Sequence, residues 1–81
     1  MGMSKIDKAV SNTDFANRVG VHYTFASRLR NGQRVPSMAT VTAIREAFEL
    51  NSKQTTDMMD AIAAGPADFG YWVNDNLFVK G

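Results

Sequence analysis

The 81-residue chain has no cysteine, which excludes a disulfide framework and any thiolate-bound metal. Its single histidine, His22, has neither cysteine nor clustered acids near it in sequence, so a metal site lacks donors. Long apolar runs are missing as well. The longest are a few residues, far short of the roughly 20 that a membrane-spanning helix requires. No charged leader with an apolar centre precedes a small-residue cleavage site, so no secretory signal is expected and a cytoplasmic protein is. Met1-Gly2 ahead of Met3 reads as an addition before a natural start. No glycine-rich phosphate loop and no nucleophile with a neighbouring base is present. Asp57 and Asp60 stand at i and i+3 of a helical pattern, but nothing around them builds a pocket, so they read as an exposed face. No cofactor and no small-molecule ligand is expected, and an enzyme is the least expected class.

What is present fits one domain, residues 1–81, with a modest core. The net charge of +1 hides a division. Up to position 35 there are six basic and two acidic residues; beyond it there are three basic and six acidic. A chain so polarised can present one end to a polyanion and hold the other away.

The basic half contains the stretch from which the rest is read, Asn12 to Asn31. Phe15, Ala16 and Val19 share one stripe of a helix, Gly20 permits a sharp turn through positive φ, and Val21 plugs the corner. A second helix follows. At about 100° per residue, with Tyr23 at zero, Phe25, Ala26 and Leu29 fall at about 200°, 300° and 240°. Tyr23, Ser27, Asn31, Thr24 and Arg28 occupy the arc from zero to about 140°. One side buries itself. The other is a continuous arc of hydrogen-bonding groups ending in a guanidinium, with no acid among them.

This segment resembles the helix-turn-helix of the phage-repressor (Cro/repressor, XRE-type) family. Phe15, Ala16, Val19, Gly20, Val21, Ala26 and Leu29 satisfy that pattern in register. Asn31-Gly32-Gln33-Arg34-Val35-Pro36-Ser37 is similar to the family's linker into the next helix. The resemblance covers roughly residues 10 to 50. Ala26 is smaller than the branched residue usual there, and Phe25 replaces a small polar one; both alter how the second helix seats. The resemblance implies an all-α, five- or six-helix, lambda-repressor-like DNA-binding domain. The small size resembles a phage Cro protein or compact immunity repressor, and features of the tail resemble small regulators of actinobacterial phages.

Elsewhere the pattern is helical. Ser4 to about Ala9 could form a short first helix with Ile6 and Val10 inward. Ser11, Asn12 or Thr13 can cap the next, with Asp14 in its first turn. Ser37 can cap a helix to about Leu50, with Val41, Ile44, Ala47 and Phe48 as its buried stripe. Asn51-Ser52 breaks and recaps; a helix from about Lys53 to Ala64 carries Met58, Met59 and Ile62, and Gly65 ends it. Pro66 opens the last segment, residues 66–81. As a helix it aligns Phe69, Trp72, Val73 and Leu77; as a hairpin, residues 70–73 would pair with 77–80. The Gly-Pro start favours the helix. Those four residues either complete the core or form a homodimer interface.

Taken with the family, the second helix is expected to lie in the major groove of double-stranded operator DNA. Arg28 would fork onto a guanine, and Tyr23, Thr24 and Ser27 would reach other base edges. Asn12, Thr13, His22, Asn31, Gln33 and Arg34 would meet phosphates, with Lys5 and Lys8 adding attraction. His22 stands at the helix cap, where Ser or Thr is commoner. The expected function is sequence-specific transcriptional regulation. Two alternatives stay open: a DNA-binding antitoxin that holds a toxin through its aromatic tail, and a protein-interaction module that has lost DNA binding.

Overall fold

The computed structural model describes residues 6–80. Five helices follow one another: α1 (Asn12–Val19), α2 (Tyr23–Arg30), α3 (Met38–Ala47), α4 (Ser52–Ala64) and α5 (Pro66–Asn76). The all-helical expectation holds, and the tail is a helix and not a hairpin. α1 packs against α2 and α3, while α5 packs against α2 and α4. The last helix therefore lies beside the second, far from it in sequence.

The first four helices each start where a side chain can satisfy an orphan N–H group of the first turn. The Ser11 hydroxyl accepts from Asp14 N–H at 3.0 Å, and the Ser37 hydroxyl accepts from Thr40 N–H at 3.3 Å. Asn51 and Gln54 form a reciprocal capping box. α5 has no side-chain cap; Pro66 begins it with φ already set and no N–H to satisfy.

The core centres on Phe15, whose ring lies between Phe78 at 5.3 Å and Phe48 at 5.6 Å. Val19, Ala26, Leu29, Ile44, Met58, Phe69, Val73 and Leu77 fill in around it. Of the expected stripes, Val41, Ile44 and Phe48 are buried and Ala47 packs at their margin. On α4 only Met58 is fully buried; Met59 is exposed and Ile62 packs at the edge.

Two expectations about local structure are corrected. Ile6 to Ala9 is not helical, and Ser4 and Lys5 lie outside the described residues. The backbone groups here are bound elsewhere. Ala9 N–H donates to Leu77 C=O at 2.8 Å, and Ala9 C=O accepts from Val79 N–H at 2.9 Å, a parallel bridge between the two ends. The carbonyls of Asp7 and Lys8 accept from the Arg18 guanidinium. So short a segment nucleates helix poorly, and the alternative partners win. Ile6 still packs on the core, but Val10 points outward, 70% exposed.

α3 also stops at Ala47, short of Leu50. Glu49 takes φ of +52°, and Leu50 N–H reaches back to Arg45 C=O at 3.0 Å. That closure is the Schellman motif, built here on a residue other than glycine, with Leu50 buried beneath it.

Candidate nucleic-acid interface

The turn between α1 and α2 forms as its residues dictate. Gly20 takes φ of +83°, its N–H bonding to Ala16 C=O at 2.8 Å, and Val21 packs at the corner of the core. α2 then begins at His22, whose Nδ1 accepts from Thr24 N–H at 3.1 Å. The imidazole thus does the work of a Ser or Thr cap, which fixes the start of the helix and requires an unprotonated Nδ1.

From that start the helix divides by side. Ala26 and Leu29 are wholly buried and Phe25 packs on the core margin. Thr24 and Arg28 are exposed, and Tyr23 is 54% exposed. The side chains of these three have no hydrogen-bond or ionic partner among the described residues, so they are unspent. Ser27, on the same arc, is half-buried, and its hydroxyl lies 3.4 Å from Asn31 Nδ2. The four expected base readers therefore share one face, with Ser27 set lower and already in contact with a neighbour.

The expected phosphate contacts separate into two groups. Thr13, at the first turn of α1, is exposed, as are Asn31, Gln33 and Arg34 after α2. A second Schellman closure holds that loop: Gly32 takes φ of +74° and Gln33 N–H donates to Arg28 C=O at 3.0 Å. The others are engaged within the chain. Asn12 is half-buried and its Oδ1 accepts from Arg30 Nη1 at 2.7 Å. His22 uses one ring nitrogen as a cap. Lys8 Nζ donates to Asp75 C=O at 3.3 Å.

Two arginines in the basic half belong to the fold. Arg18 pairs with Asp14, its Nε and Nη2 donating to the two carboxylate oxygens at 3.1 Å each, and lies 5.4 Å from the Phe48 ring. Arg30 sits 3.7 Å over the Phe78 ring, with Nε on Asn74 Oδ1 at 2.7 Å. At about 340° on the helix circle Arg30 falls at the boundary, between Tyr23 at zero and Ala26 at about 300°, so its angle alone did not mark it as engaged within the fold. Counting charge by half of the chain concealed that engagement. The Asp14 carboxyl is held below its ordinary range chiefly by Val10 N–H and then by Arg18.

Gly70 was not marked by any sequence signal. A Cβ there would stand 3.0 Å from Gly32 N and 3.1 Å from Arg30 C=O. Its bare backbone lets α5 lie against the end of α2, and beside the contact Tyr71 is 72% exposed. A cleft of about 150 Å³ opens there among Arg30, Asn31, Gly32, Ala67, Tyr71 and Asn74.

Phe69, Val73 and Leu77 are completely buried within the single chain, and Trp72 is partly buried, its ring 6.2 Å from that of Phe69. The tail residues therefore serve the core. Asp57 and Asp60 are exposed on α4, and Lys53 pairs with Asp57 at 3.8 Å. Among the described residues no group of three His, Cys, Asp or Glu side chains could hold a metal, and no helix is long and apolar enough to cross a membrane. No family model, curated protein or solved structure matches this chain.

Proposed function

We propose that the protein is a cytoplasmic, sequence-specific DNA-binding transcriptional regulator of the phage Cro or repressor type, reading double-stranded operator DNA with α2. The observation that carries this reading is the bare face of α2. Tyr23, Thr24 and Arg28 project together, unpaired and without an acid on the helix, while Ala26 and Leu29 anchor the opposite side. Such a face matches base edges in a major groove, where each bidentate pair discriminates by about 1–3 kcal/mol. Thr13, Asn31, Gln33 and Arg34 flank it at the ends of α1 and α2, where contacts to the phosphate backbone would fix the register.

The electrostatic part of the reading is smaller than the sequence count suggested. With Arg18, Arg30 and Lys8 occupied internally, Arg28 and Arg34 remain as the exposed cations of the described basic half. The slope of log K against log salt should then be about −2 per protomer, at roughly −0.9 for each of the two phosphates neutralised. Selection of bound duplexes from a random pool tests the proposal directly. A recovered motif supports it, and a two-fold motif with half-sites about 34 Å apart would make the working unit a homodimer. Failure to retain any duplex at low salt would defeat it in favour of a protein-interaction module.

A further inference from the structure

α2 is only eight residues long, and what it can read depends on its rotation about its own axis. The side-chain envelope of a helix has a radius of about 5–6 Å, so a rotation of about 20° moves a group at its edge by about 2 Å. That is enough to break a hydrogen bond whose working range is about 2.7–3.2 Å. Buried Ala26 and Leu29 resist such a rotation only through packing, and Ala26 has little side chain to resist with.

The last turn has a directional restraint. Arg30 Nε donates to Asn74 Oδ1 and Arg30 Nη1 to Asn12 Oδ1, both at 2.7 Å. Its guanidinium carbon lies 3.7 Å from the centre of the Phe78 ring. Asn74 Nδ2 returns a bond to the Arg30 carbonyl at 3.0 Å, so one amide holds both the side chain and the backbone of the same residue. The three partners come from α1, from α5 and from the segment after α5. A planar fork reaching two carbonyl-type oxygens over an aromatic face is a guanidinium arrangement that an ammonium cannot reproduce. The bonds to Arg30 that define it come from neutral amides and a ring, with no carboxylate among them, and Arg30 points away from the face on which Arg28 projects.

We propose that Arg30 and Asn74 are positioning residues for DNA reading: the clamp sets the rotation of α2 and thereby which base edges Thr24 and Arg28 reach, with Arg30 itself making no phosphate contact. This inference rests on the DNA-reading function proposed above. It gives α5 a part in specificity through its hold on the end of α2.

The test compares a duplex selected by the wild-type protein with a scrambled duplex of the same length, over a range of salt. Arg30→Lys and Asn74→Ala should each lower the ratio of the two affinities about tenfold while the salt slope is unchanged. The double variant should be no worse than the poorer single one, because both break one unit. Arg34→Gln, the comparison, should weaken both duplexes alike and reduce the slope by about 1. Partial unfolding lowers both affinities by one factor and leaves their ratio alone, so the ratio separates positioning from stability. Should Arg30→Lys not fold, Asn74→Ala carries the same test. An unchanged ratio in these variants, with wild-type preference intact, overturns the clamp alone. A slope reduced by about 1 in Arg30→Gln does so too, since Arg30 would then be a phosphate ligand. A wild-type protein that distinguishes no duplex overturns both the clamp and the DNA-reading function.

Discussion

Arg28 and Arg30 stand two residues apart on the same helix and have opposite surroundings. Arg28 is exposed and unpaired; Arg30 is held by two amides and a ring. At about 100° per residue the two point roughly 200° apart, so one faces solvent and the other faces the joint with α1 and α5. The lesson is that formal charge counts neither argue for nor against a nucleic-acid surface until each cation's partners are known. The outer face of α2 is left exposed while its inner end is fixed.

The largest expected effect breaks the inner side. Phe78→Ala removes the ring beneath Arg30 and the stacking partner of Phe15, and should cost about 3–5 kcal/mol. For a domain whose whole stability is about 5–15 kcal/mol, chemical denaturation would show a largely unfolded or barely stable protein. A loss under 1 kcal/mol would mean that the tail does not belong to the core. Next comes the crossing of α5 over α2. Gly70→Ala forces a methyl against the backbone at Gly32 and Arg30, where nothing can swing aside, and should cost about 1–3 kcal/mol in the same experiment. Full stability would show that the two helices separate easily.

The outer side should respond differently. Arg28→Ala should leave stability within about 0.5 kcal/mol. It should also remove about 1–3 kcal/mol of preference at one base pair in binding to a selected duplex. If instead it unfolds the protein, the contrast between the two arginines fails.

Acid sharpens the comparison through the other inner arginine, Arg18. Its partner Asp14 has a carboxyl held below the usual value of 3.8 by Val10 N–H and by Arg18, so folding favours the ionised form. The stability this provides is present above that value and is lost as pH falls through the lower folded-state range. A pH series of melting temperatures should therefore show a shallower acid decline in Asp14→Asn than in the wild type. Parallel curves would remove Asp14 from the acid response.

The smallest effect concerns two helix ends of the same design. α2 closes on Gly32 at φ of +74° and α3 closes on Glu49 at φ of +52°. A left-handed residue with a Cβ costs about 1–2 kcal/mol, and glycine loses about 0.5–1 kcal/mol more chain entropy than alanine on folding. Glu49→Gly should thus gain about 0.5 kcal/mol, measured as a raised denaturation midpoint. A loss would show that the Glu49 side chain contributes more than its backbone costs.

The helices and their caps were largely legible in the sequence because they follow from neighbours three or four residues apart. Ser11, Ser37 and Asn51 cap, Gly20 turns, and the Phe15–Val19 and Ala26–Leu29 stripes bury as their spacing requires. The helical tail followed from Pro66 for the same reason. The polar arc of α2 was legible too, since Tyr23, Thr24, Ser27 and Arg28 fall on one side by angle alone. The first segment was misread because its backbone partners, Leu77 and Val79, are nearly seventy residues away and leave no local mark.

The sequence by itself therefore determined where the helices lie and which side of α2 is polar, because these depend on periodicity and on caps a few atoms from the backbone they serve. Only the tertiary structure decided which of the polar and charged groups are left over. Arg30, Asn12 and Asn74 meet across three elements, and Gly32 and Gly70 touch across two. Such meetings depend on how helices cross, and the energy that fixes a crossing comes from packing distant parts of the chain, which no stretch of sequence contains by itself.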